Sequence, residues 1–300
     1  MNTSTHRVLI TGVLGYIGSH LARRLYKEPG LHLQVDGLDN ASQGLDNFHA
    51  KSYIDRFFEV DVYNDGMIAG LNGRYDTVVH LAGLISVGDS MTNPTEYYLN
   101  NVMGTLNVID WIKPRNLVFA STAACFEPNS PYAYSKLVCE QIIREKCENY
   151  TIFRFFNVAG SDGMNRQIGK STHLVRVAAE TAAGKRDFMT INGCDYPTPD
   201  GTCLRDYVHV EDLVDSIVKS IYNPKNTEYE CLANGRTYSC LNVIDAMRRV
   251  TGVNFKAVVG DRREGDVAKL SISHNQKSEY FEGKRTLDDM CLSAYKMELK

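Results

Sequence analysis

Arg7-Val-Leu-Ile-Thr-Gly-Val-Leu-Gly-Tyr-Ile-Gly-Ser-His20 sets the architecture of this chain. Residues 8–11 are apolar or β-branched, which is typical of a short buried strand. Gly12, Gly15 and Gly18 follow, and a helical apolar pattern begins directly after them. A glycine turn between strand and helix lets the backbone approach a pyrophosphate at the helix N-terminus. These residues therefore predict a dinucleotide-binding turn.

A second strand pattern, 33–39, ends in the acid Asp39, about 20 residues after the last glycine of the turn. A carboxylate at this place accepts hydrogen bonds from both hydroxyls of the adenosine ribose and repels a 2′-phosphate. Asp39 therefore favours NAD over NADP. Asp61, at the end of the next strand, suits a contact to the adenine end, and a solvated loop acid is the alternative interpretation.

The following segments continue the alternation of strands and helices. Residues 77–83 form an apolar strand pattern that runs into small residues, and the strand pattern 116–120 ends in Ser121 and Thr122. A further strand is expected at 151–154. This alternation predicts an α/β fold, a Rossmann-type doubly wound parallel sheet.

Two helices are expected between these strands. The first runs from about 94 to 113, where Pro114 stops it, and its apolar residues at helical spacing are Tyr98, Val102, Leu106 and Ile109. The second runs from Tyr132 to Glu148, with a stripe of Cys139, Ile143 and Cys147. Both helices are expected to bury one face.

The regular alternation stops after Asn157. Residues 161–170 are polar and glycine-rich, and residues 197–201 form a turn cluster. We therefore expect a NAD-binding Rossmann domain at 1–157 and a smaller, partly interleaved α/β substrate domain at 158–300. Residues from about 205 to 235 are expected to return to the Rossmann domain.

Composition excludes several function classes. The chain has 300 residues, 43% hydrophobic and 23% charged, with a formal net charge of −3, so a nucleic-acid-binding surface is not expected. No apolar run reaches the ~20 residues of a membrane span, and the polar N-terminus does not resemble a signal peptide. Eight cysteines without C-x-x-C pairs indicate neither a metal site nor a disulfide framework, and they favour a cytoplasmic location.

Tyr132 and Lys136 are the second informative pair. Side chains four residues apart lie on the same face of a helix. A nearby ammonium and the positive nicotinamide ring both favour a phenolate and would lower the pKa of Tyr132. Ser121 or Thr122 at the preceding strand end can pass a proton between a sugar oxygen and Tyr132. The alternative, a surface Tyr–Lys pair, does not explain this order of motifs.

The chain resembles the extended short-chain dehydrogenases and, within them, the subfamily of UDP-hexose 4-epimerases. The resemblance covers nearly the whole chain and is most specific in one block. Segment 195–213 is the most specific for the subfamily. The resemblance is carried by the segments 11–20, 78–90, 96–105, 130–136, 154–160, 195–213 and 263–266.

The resemblance implies a site for NAD and a site for a UDP-hexose, with Thr122, Tyr132 and Lys136 as catalytic residues. The implied cofactor residues are Gly12, Gly15, Tyr16, Ile17, Gly18, Asp39, Asn40, Asp61, Val62, Leu81, Ala82, Gly83, Asn100, Ser121, Tyr132, Lys136 and Phe155. The implied substrate residues are Thr122, Tyr132, Asn157, His173, Leu174, Arg205, Arg263, Asp266 and Leu270.

The activity that the resemblance implies is interconversion of UDP-glucose and UDP-galactose. The C4 hydroxyl is oxidised, the 4-ketosugar rotates and the same carbon is reduced again, so NAD is regenerated. A homodimer through helices 97–113 and 132–148 is also implied. Leu270 aligns with the position that gates the hexose 2-substituent, and it is smaller than the tyrosine of some relatives, which leaves room for an N-acetyl group.

Several residues depart from the family pattern. The connection between Thr122 and Tyr132 is short, the glycine turn contains Val13 and Leu14, and Ile85 replaces a frequent lysine. Two alternatives therefore stay open. One is another nucleotide-sugar epimerase or reductase, with Cys125 as a candidate acid, and the other is a non-catalytic NAD-bound regulatory protein. A 4,6-dehydratase is disfavoured because alanines follow Thr122.

Overall fold

A computed structural model describes residues 5–28, 32–42, 47–71, 75–169, 172–263, 265–272 and 278–300. Of the residues in the motif 263–266, only Glu264 lies outside these ranges. None of the helices in the described ranges has the length and apolar character that a bilayer crossing requires.

Short strands alternate with helices along the described chain. The strands are β1 His6–Thr11, β2 Leu33–Asp39, β3 Arg56–Glu59, β4 Thr77–His80, β5 Asn116–Thr122, β6 Tyr150–Phe155, β7 Asn157–Ala159, β8 Met189–Asn192, β9 Leu204–His209, β10 Glu230–Leu232, β11 Thr237–Ser239, β12 Ala257–Gly260 and β13 Lys269–Leu270.

The α-helices are α1 Tyr16–Tyr26, α2 Asp65–Ile68, α3 Val87–Thr92, α4 Pro94–Tyr97, α5 Gly104–Asn107, α6 Pro131–Lys146, α7 Leu174–Ala182, α8 Val210–Tyr222, α9 Cys240–Thr251 and α10 Leu287–Glu298. Two π-helical segments, Tyr98–Met103 and Val108–Ile112, continue α4 and α5 into one long helical run.

The chain forms two compact units. Unit 1 comprises residues 1–154 and 214–230, and unit 2 comprises 155–213 and 231–300. The domain boundary expected after Asn157 and the return of about 205–235 stay predictions.

A seven-stranded sheet with the order β10-β6-β5-β4-β1-β2-β3 organises the first part of the chain. The pairs β1–β2, β1–β4, β2–β3 and β4–β5 are parallel. The order reverses between β1 and β4, which is the point where ligands bind in doubly wound sheets. The predicted Rossmann-type fold is confirmed.

The core of unit 1 lies against this sheet. Strand residues such as Leu9, Val78 and Leu117 are fully buried and pack with helix residues such as Cys139 and Ile143. Strands that are buried on both faces have continuous apolar sequences. For this reason β1, β4 and β5 can be predicted from the sequence.

Unit 2 contains smaller sheets and a helical core of its own. Strand β9 pairs with β7 and β13 in parallel and with β11 in antiparallel orientation, and β8 pairs with β12. Helices α7, α9 and α10 pack together through buried residues that include Ala178, Val243 and Met290.

The predicted buried stripe of the helix 94–113 is confirmed at Ile109, which is buried, and is wrong at Tyr98; Val102 and Leu106 are partly buried. Tyr98 is 38% exposed, whereas Tyr97 is 3% exposed. The buried side of the run continues through Asn101, Thr105 and Val108. A π-helical turn carries more residues than an α-helical turn, so the π segments change which residues face the core. Apolar spacing read at α-helical periodicity cannot detect that change.

Candidate active site

The glycine turn requires glycine at two positions. Gly12 has φ +71°, and a Cβ there would lie 2.9 Å from the backbone nitrogen of Ala82. A Cβ on Gly18 would lie 2.1 Å from the carbonyl oxygen of Gly12. Gly15 is the N-cap of α1, which has no side-chain cap and no acid in its first turn, where Tyr16 and Ile17 lie. The helix N-terminus is therefore open to an anionic group.

Val13, one of the two larger residues in the glycine turn, packs against the neighbouring strand β2. Val13 is fully buried and its Cγ1 lies 2.7 Å from the place where a Cβ on Gly37 would be. The larger side chain in the turn therefore packs against a glycine of β2.

Asp39, Asn40 and Asp61 lie together at the ends of β2 and β3. The Asp39 carboxylate accepts the backbone N–H groups of Leu14 (2.9 Å) and Ala41 (2.8 Å). Burial raises the pKa of Asp39 above its ordinary value, and these backbone donors oppose that effect. Asn40 donates to Asp61 across 2.8 Å. Val62, the next residue, is buried.

The residues that follow β4 lie against the glycine turn. Leu81 donates its N–H to the Thr11 carbonyl oxygen (3.2 Å), and Ala82 donates to the Thr11 hydroxyl (3.2 Å). A Cβ on Gly83 would lie 2.9 Å from Oδ1 of Asn101. The structure thus brings the predicted segment 81–83 to the same place as Gly12.

Asn100 lies in the π-helical segment Tyr98–Met103. Its Oδ1 is buried, and among the described residues it has no hydrogen-bond partner. An unsatisfied buried acceptor costs about 1–3 kcal/mol. A dinucleotide offers amide and hydroxyl donors, so this orphaned oxygen and the glycine turn both fit a bound NAD.

The side chains of Thr122 and Tyr132 lie close enough for Thr122 to act on the pKa of the Tyr132 phenol. Thr122 ends β5, and Tyr132 stands in the first turn of α6, which begins at Pro131 after the N-cap Ser130. The Ser130 hydroxyl accepts the Ala133 N–H at 3.3 Å, which holds this turn. Strand end and helix start therefore present two hydroxyls together, as the sequence predicts.

The predicted effect of Lys136 on Tyr132 is not seen in the described residues. Burial raises the pKa of Tyr132 well above its ordinary value, and the nearby Thr122 side chain only partly opposes this. Lys136 is 4% exposed, donates to the carbonyl oxygen of Ala120 at 3.0 Å and lies 4.8 Å from the Phe119 ring centroid. Burial also lowers the pKa of Lys136.

Behind Ser121 lies a buried ion pair that sequence reasoning missed. Ser121 donates to Glu140, which also accepts two hydrogen bonds from Arg154, at 2.9 and 2.8 Å. The Arg154 guanidinium lies 3.8 Å from the ring centroid of Tyr229. Glu140 stands one helical turn after Lys136, and that spacing is the only sequence signal for its place.

Cys125 has the wrong properties for a catalytic acid. It is 5% exposed, and burial raises the pKa of its thiol to about 11. This observation disfavours the reductase alternative that relies on Cys125.

In unit 2, adjacent strands bring several predicted substrate residues together. Arg205 on β9 is the register partner of Leu270 on β13 and donates to Asp266 at 3.5 Å. Arg205 also donates to the carbonyl oxygen of Val267 at 2.8 Å. Asn157 on β7, which pairs with β9, donates to the carbonyl oxygen of Asp206 at 3.0 Å.

His173 and Arg263 are close enough to interact. His173 is the N-cap of α7, directly before Leu174. Burial, followed by the positive charges of Arg176 and Arg263, lowers the pKa of His173 to about 4. Phe155 ends β6 and is partly buried. The roles of these residues stay predictions.

Residues 8–232 match the model of the NAD dependent epimerase/dehydratase family. The chain belongs to this family. The family resemblance and the NAD dependence expected from the sequence are confirmed.

Three relatives show how much of the chain the similarity covers. UDP-glucose 4-epimerase of Dictyostelium discoideum is 31% identical, over 97% of this chain and 95% of the relative. A Bifidobacterium longum UDP-glucose 4-epimerase, solved with NAD+ and UDP, has a TM-score of 0.87 at 27% identity, covering 97% of this chain and 98% of the other. A UDP-Glc/GlcNAc 4-epimerase of Campylobacter jejuni has a TM-score of 0.79 at 33% identity, covering 98% and 99%.

Proposed function

We propose that this chain catalyses the NAD-dependent interconversion of UDP-glucose and UDP-galactose. The observation that carries the proposal is the placement of Thr122 at the end of β5 close to Tyr132 in the first turn of α6, with Lys136 buried one helical turn away. Relatives named UDP-glucose 4-epimerase, similar over nearly the whole chain, support the same reaction.

NAD, held by the glycine turn, Asp39 and Lys136, would supply reversible hydride chemistry at C4 of the hexose. The chain's own contribution is proton transfer. Tyr132, ionised, takes the proton of the 4-hydroxyl through Thr122 and gives it back after the ketosugar has turned. Because burial opposes ionisation of Tyr132, a positive charge close to its ring is required for this step. The buried Lys136 donates a hydrogen bond to the Ala120 carbonyl oxygen and holds its ammonium on the same helix face as Tyr132.

Residues of unit 2 supply the grip on the nucleotide. Arg205 and Arg263 each present a planar fork of donors suited to a diphosphate. Asp266, hydrogen-bonded to Arg205, holds that guanidinium in place. A firm grip on UDP leaves the hexose free to rotate, which inversion at C4 requires.

Leu270 favours a second substrate class, the N-acetylated UDP-hexoses. Its place beside Arg205 in the β9–β13 ladder is consistent with a contact near the sugar. The C. jejuni relative is named an epimerase of both UDP-Glc and UDP-GlcNAc. We infer that this chain also accepts UDP-N-acetylglucosamine.

Proton NMR of UDP-galactose incubated with purified protein and no added reductant tests the proposal. We expect signals of UDP-glucose to appear without stoichiometric NADH. A run with UDP-N-acetylglucosamine decides the second substrate. A protein that contains NAD and converts neither sugar would contradict the proposed reaction and favour a non-catalytic role.

We further propose a homodimer that uses the helical run 97–113 and helix 132–148. Leu99, Met103 and Trp111 on the first and Tyr134 and Val138 on the second are each between 41% and 48% exposed. Apolar side chains exposed on neighbouring helices are typical of a protein interface. A single monomer peak in light scattering would refute this.

The chain's place in the cell and its domain division complete the proposal. All eight cysteines are free thiols, which supports a cytoplasmic location. The assignment of 214–230 to unit 1 supports a Rossmann domain at 1–157 to which part of the region 205–235 returns, beside a substrate domain at 158–300.

A further inference from the structure

A buried hydrogen-bonded network crosses unit 1 from β1 to α6. Thr11 Oγ1 lies 2.8 Å from His80 Nδ1, and His80 Nε2 lies 3.2 Å from Thr105 Oγ1. Thr105 donates to the carbonyl oxygen of Asn101 at 2.7 Å. These four residues are at most 2% exposed. We call Thr11, His80, Thr105, Asn101 and Ser135 the His80 network.

The hydrogen bonds of this network have one direction. Thr105 donates its hydroxyl hydrogen to the Asn101 carbonyl oxygen at 2.7 Å, with Cys139 Sγ as a more distant acceptor at 3.3 Å, so its oxygen accepts the Nε2–H of His80. Nδ1 of His80 must then accept from the Thr11 hydroxyl, whose oxygen accepts the Ala82 N–H. Only a neutral ring that carries its proton on Nε2 satisfies every partner. Burial, with a smaller effect of the Lys136 ammonium, lowers the pKa of His80 to about 3 and keeps the ring neutral.

At its other end the network holds the loop after β4 and the catalytic helix. Asn101 Oδ1 accepts the Leu84 N–H at 2.8 Å, and Nδ2 donates to the Leu84 carbonyl oxygen at 3.1 Å. The same Nδ2 donates to Ser135 Oγ at 3.0 Å, and Ser135 donates to the Tyr132 carbonyl oxygen at 2.8 Å. The Asn101 amide therefore has all its donors in use.

The segments joined in this way are the ones predicted to hold the cofactor. Thr11 directly precedes Gly12, and Ala82 belongs to the segment after β4. Ser135 directly precedes Lys136. Binding and catalytic groups must be held within about 0.5 Å of their productive places. A network of satisfied buried hydrogen bonds supplies that rigidity, because each member has a single arrangement.

We propose that His80 is a positioning residue, whose hydrogen bonds to Thr11 and Thr105 set the spacing between the glycine turn, the loop 82–84 and the Tyr132–Lys136 helix. This inference rests on the proposed function for its effect on turnover. Its effect on NAD affinity rests only on membership in the family.

The experiment removes one hydroxyl at a time with Thr11→Val and Thr105→Val. Thr77→Val is the matched control, because Thr77 is fully buried on the same strand β4 and its hydroxyl lies 3.1 Å from Nε2 of another histidine, His6. Each variant loses one threonine–histidine hydrogen bond of 2.8 to 3.2 Å, buried at Thr11 and Thr105 and partly buried at Thr77. Thr11→Val also removes the acceptor of the Ala82 N–H, and Thr105→Val the donor to the Asn101 carbonyl oxygen. Titration of the NAD-free protein and steady-state kinetics are then compared, well below the melting temperature of each variant.

We expect Thr11→Val and Thr105→Val each to weaken NAD binding about tenfold and to lower kcat by a similar factor, with KM for UDP-galactose nearly unchanged. Thr77→Val is expected to lower only the melting temperature. Thr105→Ser restores the hydroxyl and should restore NAD affinity. The double variant should be little worse than either single one, because both break the same network.

The proposal is overturned if Thr11→Val and Thr105→Val bind NAD as the Thr77→Val control does. It is also overturned if Thr105→Ser fails to recover affinity while remaining folded. If the unmodified protein binds NAD but does not convert UDP-galactose, the proposed reaction fails, and the NAD titrations still decide the role of the network.

Discussion

The predicted catalytic residues of unit 1 and the predicted substrate residues of unit 2 are built in opposite ways. Tyr132 and Lys136 are at most 9% exposed, and Lys136 is hydrogen-bonded to the Ala120 carbonyl oxygen. Arg263 is exposed, and Asp266 keeps 27% of its side chain open and meets Arg205 across a long 3.5 Å. The groups predicted to move a proton are buried, whereas Arg263 and Asp266, predicted to hold the ligand, are more open to solvent; Arg205, 12% exposed and hydrogen-bonded to Val267, is the exception.

The difference has a physical reason in the proposed reaction. Proton transfer depends on sub-ångström placement of donor and acceptor, which favours buried, fully satisfied hydrogen bonds. A diphosphate is held through charge, which acts over longer distances and tolerates side-chain motion. The comparison therefore predicts that variants of unit 1 residues change kcat or stability, and variants of unit 2 residues change KM.

Tyr132→Phe is expected to have the largest effect. Loss of the phenol removes the proton carrier, so kcat should fall about 10³-fold, in the range typical of general acid–base groups. NAD content should be unchanged. Tyr134→Phe, on the same helix and 48% exposed, is the control. If the Tyr132→Phe variant kept a tenth of the wild-type kcat, Tyr132 would not be the proton carrier, and the predicted difference between the two sets of residues would fail.

Glu140→Gln should lower the free energy of unfolding by about 3 kcal/mol, because it leaves the Arg154 guanidinium buried without a charged partner. Urea denaturation measures this effect. Glu145→Gln, on the exposed side of the same helix, should change stability by less than about 0.5 kcal/mol. Equal losses in the two variants would show that the ion pair behind Ser121 does not stabilise unit 1.

Arg263→Ala should raise KM for UDP-galactose about tenfold, equivalent to about 1.4 kcal/mol, and leave kcat within a factor of two. The neighbouring Arg262→Ala serves as control, because Arg262 is paired with Asp195 at 2.7 Å on the surface. Steady-state kinetics with both variants separate the two roles. A fall in kcat without a change in KM would place Arg263 with the catalytic residues instead.

The smallest effect concerns pH. The pKa of His80 is about 3 in the folded chain and about 6.5 when unfolded, so the unfolded state binds the proton more tightly. The stability that depends on neutral His80 is complete above pH 6.5 and is lost as pH falls toward 3. Between pH 6.5 and 5.5 we expect a loss of about 1 kcal/mol that the His80→Asn variant lacks. Parallel pH profiles of the two proteins would contradict this.

Much of the Rossmann part could be predicted from the sequence because its signals are local. Gly18 is required by crowding against the backbone of Gly12 and Val13, Gly12 adopts a positive φ of +71°, and Asp39 follows from strand length. Tyr132 and Lys136 are one helical turn apart in sequence. Each of these patterns is visible within a short stretch of the sequence.

Only the tertiary structure decided two features: the residue pairs that lie far apart in sequence, and the pKa shifts of buried groups. The partnership of Thr11 with His80, and of Glu140 with Arg154, depends on strand order and helix packing, which no local spacing records. The sign of the pKa shift at Tyr132 likewise depends on burial, a property of the folded core. Residue types at short spacing can be read from the sequence. The desolvation that shifts a pKa depends on which groups surround the side chain after folding.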